Sequence, residues 1–268
     1  MIRISASSYS NTAPLIWSFL YGSGRGTAEL IMDNAPSRSA ELLAQDRVDA
    51  ALVPVIVSQV LDDVRIVPGV CVGARERVRS VCLVTGGREL EDVRFVALDT
   101  SSRTSVVLTK IIFREFLGFE PEWLNAAPDI NAMLASSDAA LIIGDPALAL
   151  SEPTAAAGAL TLRTFDLAEL WHRYTGLGFV FAMWMTRRGN VALDLAGARD
   201  EGVANIDAIA ANYAASTGLS IADMADYLRN NICYTPDESM LAGMELYFEL
   251  AEKHGLIANR RDLNFLQS

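Results

Sequence analysis

The sequence predicts an α/β protein of two lobes with a central interlobe cleft, and three patterns carry that expectation. Short β-rich runs alternate with segments whose apolar residues recur at helical spacing. The alternation starts again near residue 94, and from about Gly202 onward the pattern is helical. Such β/α alternation favours a largely parallel sheet covered by helices. A chain of 268 residues at 51% hydrophobic composition suffices for two compact lobes or one large domain.

Taken in order, "IRISA" (2–6), "TAELIMD" (27–33), "AALVPV" (50–55) and "IVPGVCVGA" (66–74) read as strands, with "PLIWSFLYG" (14–22) and "SRSAELLAQDR" (37–47) as helices between them. "GSGRG" (22–26) fits neither a phosphate-binding loop nor the G-x-G-x-x-G fingerprint, and reads as a helix-to-strand turn. A second unit opens at "RFVALD" (94–99), runs through the helix "TSVVLTKIIFREFLG" (104–118) and returns at "DAALIIGDPALAL" (138–150). "RSVCLVTGG" (79–87) and "GFVFAMWMTRR" (178–188) read as extended, and are expected to be the two crossings between lobes. "EPTAAAGALT" (152–161) reads as a surface turn. The helical third comprises 202–217, 220–232 and 237–256. Ser220 with Asp223, and Asp237 with Glu238, put capping groups and negative charge at helix starts. These helices are expected to pack on the first lobe, giving lobes of 1–82 plus 184–268 and of 83–183.

Composition narrows the function. A formal net charge of −11, with no run of Lys and Arg interleaved with aromatics, argues against a nucleic-acid surface. An anionic ligand would have to be held by local groups against the overall field. The three cysteines, Cys71, Cys82 and Cys233, lack C-x-x-C spacing and read as reduced, mostly buried thiols. The two histidines, His172 and His254, belong to no metal-ligating cluster, and no G-x-S-x-G elbow marks a serine hydrolase. "MIRISASSYS" reads as a strand entering a polar loop, not as an export signal, so a native start at Met1 implies a cytoplasmic protein. No apolar run approaches the roughly 20 residues of a membrane span.

The candidate chemistry sits at polar strand-to-helix junctions. Ser10, Asn11 and Thr12 follow the first strand, Ser37 and Arg38 precede a helix, Ser101 to Ser105 follow "VALD", and Gly144 with Asp145 follow "ALII". In an open parallel sheet these positions lie at the carboxyl ends of strands, where ligands bind. Backbone N–H groups and hydroxyls there can receive a carboxylate. Ser102, Thr104 and Ser105 offer short donors and Arg103 a fixed charge, although the same residues also serve as an ordinary helix cap. Ser37 reads as a cap or a contact, Asp145 as a cap, a hinge or a contact. Ser80 would border the cleft.

Ser8, Asn11 and Pro14 in an S-x-x-N-x-x-P pattern, then "RSVCLVT", "VALDTSSRTSVVL", "ALIIGDPAL" and "GFVFAMWMTR", occur in an order that resembles the MqnA family. These are chorismate dehydratases of the futalosine route to menaquinone. The resemblance covers about residues 2 to 188. It implies a periplasmic-binding-protein-like type II fold and conversion of chorismate to 3-[(1-carboxyvinyl)oxy]benzoate and water without a cofactor, driven by aromatisation. It implies a catalytic role for Asn11, a carboxylate contact at Ser80 and an anion-binding segment at Ser102 to Ser105. Ser8, Tyr9, Ser37, Arg103, Gly144 and Asp145 complete the expected substrate-binding set. Tyr9, Phe179 and Trp184 are equally open to ring contact and to core packing. Two alternatives stay open: a non-catalytic solute-binding protein for a small anion, and an enzyme like 1,4-dihydroxy-6-naphthoate synthase, against which the lack of a matching histidine counts.

Overall fold

The computed structural model describes residues 1–150 and 162–267, so the surface turn expected at 152–161 lies outside the described residues. The first unit runs β1 (Ile2–Ser7), α1 (Ala13–Tyr21), β2 (Ala28–Asp33), α2 (Pro36–Ala44), β3 (Ala50–Pro54), the one-turn α3 (Val57–Val60) and β4 (Arg65–Ala74). The second runs β5 (Val81–Thr85), β6 (Phe95–Asp99), α4 (Thr104–Ile111), β7 (Glu122–Ala126), α5 (Ile130–Ser136), β8 (Ala139–Ile143), α6 (Asp145–Leu150) and β9 (Arg163–Asp166). Then come α7 (Leu167–Thr175), β10 (Phe179–Thr186), α8 (Leu195–Ala204), α9 (Ile206–Thr217), α10 (Ile221–Asp226) and α11 (Glu238–Lys253).

Two five-stranded sheets result, ordered β2-β1-β3-β10-β4 and β7-β6-β8-β5-β9. Three adjacent strands of each pair in parallel, as the alternation predicts, but β10 runs antiparallel to β3 and β4, and β5 antiparallel to β8 and β9, so that one strand in each sheet opposes the other four. The sheets are therefore mixed. β5 and β10 are the strands by which the chain enters each sheet from the other, so no helical crossover within one sheet forces them parallel.

The same observation corrects the expected crossings. β5 is buried along its whole length and β10 at all but one residue, because each is an interior strand covered on both faces. The chain passes between the sheets at 75–80 and 167–178 instead. The borders expected at 82/83 and 183/184 fall inside these two strands.

The buried Asp166 carboxylate pins the first passage. It accepts the backbone N–H groups of Val78 and Arg79 (2.6 Å to the latter) as well as those of Ala168 and Glu169 at the start of α7. Arg79 is held at φ 62°, a left-handed conformation that non-glycine residues adopt only where surroundings impose it. This fixes the backbone immediately before Ser80.

In the C-terminal third, the helix read from residue 202 is broken at Asn205 into α8 and α9. Ser220 caps α10 by accepting the Asp223 N–H (3.1 Å), and Asp237 caps α11 by accepting that of Met240 (2.9 Å). α8 and α9 pack on α1, while α11 lies against β10 and α4 and so touches both units. The fully buried Trp171, Phe179 and Tyr247 stack edge-on at that junction, with ring centroids 5.4 and 5.1 Å apart. Cys71, Cys82 and Cys233 are free thiols, the first two buried. Among the described residues no helix is long and apolar enough to cross a membrane.

The approach of α8 to α1 depends on Gly202, where a Cβ would lie 1.8 Å from the Pro14 carbonyl oxygen. Backbone cannot yield as a flexible side chain can. Gly202→Ala is expected to destabilise the protein by about 1–3 kcal/mol. Denaturant unfolding checks this, and an unchanged midpoint contradicts it.

Candidate active site

The two sheets share one design. In each, the chain order reverses beside the first strand of the parallel trio, at β1/β3 and at β6/β8. Ligands bind outside the carboxyl ends of strands at such switch points. Here the two switch points face each other, and the segments after β1, β6 and β8 meet in one cleft.

Residues 10–12 form a single tight turn between β1 and α1, and Pro14 starts the helix at a position where its missing N–H is no loss. The turn brings Tyr9, Asn11 and Thr12 to the cleft wall beside Ser7. Ser102, Thr104 and Ser105, at the start of α4, face them, with Gly144 at the end of β8. The rest of the wall is mostly apolar, including Leu52, Val72, Val81 and Phe181. Its volume is about 70 Å³, small beside the roughly 300–1,000 Å³ of ligand pockets.

Polar contacts close the cleft. The Ser10 N–H (3.0 Å) and hydroxyl (2.5 Å) donate to the Asp145 carboxylate, and the Ser37 N–H donates to the Ser101 carbonyl (3.3 Å). Asn11 Nδ2 donates to Ser80 Oγ at 3.4 Å, while Asn11 Oδ1 accepts from Thr12 Oγ1 at 3.3 Å. Both Asn11 bonds are long, leaving the carboxamide only loosely held.

Several expected contacts lie elsewhere. Ser80 is fully buried behind Asn11 and is not part of the cleft wall; its backbone carbonyl accepts the Gly144 N–H at 2.7 Å. Ser8 turns away to donate to Asn34 Oδ1 (2.6 Å), and at the start of α2 it is Pro36, not Ser37, that lines the cleft. Arg103 faces Glu41 at 4.0 Å and is substantially exposed, because the helix start directs its long side chain outward. Asp145 bonds Ser10 from behind the wall. Phe179 and Trp184 are core residues, whereas Phe181 reaches the cleft from the same strand. Sequence reasoning missed Phe181 and the aliphatic wall, which carry no chemical signature.

The polar groups in and behind the wall are strongly shaped by burial. Desolvation, reinforced by the charge of Asp99, pushes the Tyr9 phenol up to about 12, so it is a hydrogen-bond donor at neutral pH. Burial also raises the Asp99 carboxyl, which accepts from the Ser101 N–H and hydroxyl through one oxygen and leaves the other unpartnered. Among the described residues no three His, Cys, Asp or Glu side chains converge as a metal-holding group.

Burial likewise raises the Asp145 carboxyl from 3.8, and the Ser10 bonds only partly offset this. An acid raised in the folded state contributes stability that is whole below its unfolded value and lost as pH rises through the folded one. Asp145→Asn keeps an acceptor for Ser10 without that loss. The variant is expected to melt higher than the parent, by a margin that grows as pH rises above 3.8 and then levels off. Melting temperatures across a pH series check this, and a margin independent of pH contradicts it.

Fold and site together define a two-lobed α/β binding-protein architecture with its ligand cleft between the lobes. It is the periplasmic-binding-protein fold. A protein from Archaeoglobus fulgidus superposes with a TM-score of 0.76 at 19% identity, covering 96% of this chain and 98% of the other. The periplasmic aliphatic sulphonate binding protein of Escherichia coli does so with 0.63 at 16%, covering 100% and 94%. A family model described as menaquinone biosynthesis matches residues 2–253, and the chain belongs to that family. The chorismate dehydratase of Thermus thermophilus is 30% identical over 257 residues, covering 90% of this chain and 92% of the relative.

Proposed function

We propose that the protein is a chorismate dehydratase, a hydro-lyase whose lobes, divided at 75–80 and 167–178, close on chorismate and release 3-[(1-carboxyvinyl)oxy]benzoate and water. The observation that carries this reading is the make-up of the cleft wall: hydroxyl and amide donors on an apolar ground, with Tyr9 as the one ionisable side chain among the described residues and that one held protonated. Such a wall suits a substrate that brings its own base and needs mainly to be held. Similarity to a chorismate dehydratase along nearly the whole chain supports the choice of substrate.

In the proposed reaction the C3–H bond breaks and its electron pair forms the C3–C4 double bond of the new benzene ring. The C4–O bond breaks in turn, and the departing hydroxide takes up, by way of the substrate carboxylate, the proton removed from C3 and leaves as water. The enolpyruvyl carboxylate of the substrate accepts the C3 proton. Donors at the start of α4 hold one carboxylate, where the helix dipole favours it. Asn11 directs its carboxamide at the reacting edge of the ring, donating to the hydroxyl as charge develops on it. The aromatic ring supplies the driving force, and the protein supplies orientation and exclusion of water.

Mass spectrometry of purified protein incubated with chorismate tests the reading. Conversion to a product lighter by one water supports it. Binding of chorismate without conversion contradicts it and favours a solute-binding protein.

A further inference from the structure

Behind Asn11 and Ser80 lies a side chain from a distant part of the sequence. Tyr227 is fully buried, yet its hydroxyl makes no hydrogen bond of good geometry. A buried polar group left unpaired costs roughly 1–3 kcal/mol, so such a group calls for an explanation. The side chains of Ser80 and Asn11 lie against this hydroxyl, and the Arg79 guanidinium sits 5.8 Å from the ring centroid. The phenol is thus trapped at the back of the site.

The backbone that carries it is also irregular. After α10 the helix widens, and the Ile232 N–H donates to the Tyr227 carbonyl five residues back. Widened turns of this kind recur at functional sites. On the facing segment, the strained Arg79 holds Ser80 in place. Two irregular pieces of backbone therefore aim Tyr227 and Ser80 at one carboxamide.

We propose that Tyr227 is a positioning residue for Asn11, its hydroxyl closing a ring of hydrogen bonds with Ser80 and the Asn11 carboxamide when substrate occupies the cleft. This rests on the reading of Asn11 as the group that orients chorismate. In the ring, Asn11 Nδ2–H donates to Ser80 Oγ, the Ser80 hydroxyl donates to Tyr227, and the Tyr227 hydroxyl donates to Asn11 Oδ1. The carboxamide oxygen is then engaged from behind, and the second Nδ2–H is the part presented to the cleft. The first bond is already formed at 3.4 Å, and catalytic hydrogen bonds tighten on substrate binding. Without the phenol, only the long bonds to Ser80 and Thr12 oppose turning of the amide.

The test uses Tyr227→Phe, which removes the hydroxyl and keeps the ring, alone and combined with Asn11→Ala. Because the hydroxyl makes no hydrogen bond of good geometry, the single variant is expected to melt no lower than the parent. It should lose about tenfold in kcat at unchanged KM, and the change should have no further effect in the Asn11→Ala background, as for two groups acting as a unit. A kcat within twofold of the parent overturns the proposal. So does a tenfold loss that persists in the Asn11→Ala background, or one matched by a loss of folded protein. If the parent protein itself fails to dehydrate chorismate, the functional reading falls and this proposal with it. Parental turnover with an unimpaired Tyr227→Phe removes only the proposal.

Discussion

Asn11→Ala is expected to lower kcat for chorismate dehydration by about 10²–10³-fold, the range seen when one preorganised donor to a developing negative charge is removed. The same change should barely affect folding. Asn11 is partly exposed on a one-turn segment, and its two side-chain bonds, at 3.3 and 3.4 Å, are near the limit of useful geometry. The neighbouring Thr12 has its own partner in Ser7 at 2.8 Å, so the turn stays tied to β1 without the carboxamide. Steady-state kinetics and melting curves on one preparation check both halves. Asn11→Asp sharpens the result, because a carboxylate of similar shape repels a dianionic substrate and removes the N–H donors, so KM should rise as kcat falls. Near-normal turnover in both variants would take Asn11 out of the mechanism.

Gly144→Ala should damage the site from the opposite lobe, lowering kcat/KM by about 10²-fold, as misplacements near 1 Å do. Gly144 has φ +69°, which costs an L-residue about 1–2 kcal/mol, and an added Cβ would lie 2.6–2.7 Å from the Tyr9 ring. The ring cannot move aside freely, because Tyr9 belongs to the turn that carries Asn11. A methyl group at this point wedges the lobes apart where Ser10 and Asp145 otherwise join them. Kinetics of the purified variant check the expectation, and wild-type kcat/KM contradicts it.

Alternating periodicity made most of the architecture legible in the sequence. β1, β6 and β8 are short strands followed by polar junctions, and these junctions build much of the cleft. Strand direction was not legible: the apolar runs of β5 and β10 have the same appearance whether they link two lobes or lie inside a sheet, and only the pairing decides. The same both-face burial hid which aromatic of "FVFAMW" reaches the cleft, since no polar residue marks a solvent side. α8 escaped notice because "LAGARDEGVA" lacks a wide apolar stripe; it packs closely on α1 through a glycine, with no row of large side chains to mark it. β7 is a half-exposed edge strand with little alternation.

At the site, Asn11 and the hydroxyls at the start of α4 were readable because strand ends and helix starts define ligand positions in this class of fold. Arg103 was misleading: its charge suits an anion, but the helix start sends it toward Glu41 and solvent. Ser80 was identified as a residue but not in its position, one layer behind the wall. Tyr227 could not be found from sequence, because the widened turn that delivers it and the burial of its hydroxyl beside Ser80 and Asn11 are properties of the folded chain.

A crystal structure of the Asn11→Ala variant soaked with chorismate tests the central claim most directly. The predicted result is unreacted substrate lodged between the two switch points, one carboxylate on the N–H and hydroxyl groups of Ser102 to Ser105 and the ring hydroxyl facing the place of the missing carboxamide. Chorismate bound outside the space between the β1/β3 and β6/β8 strand ends would contradict the account.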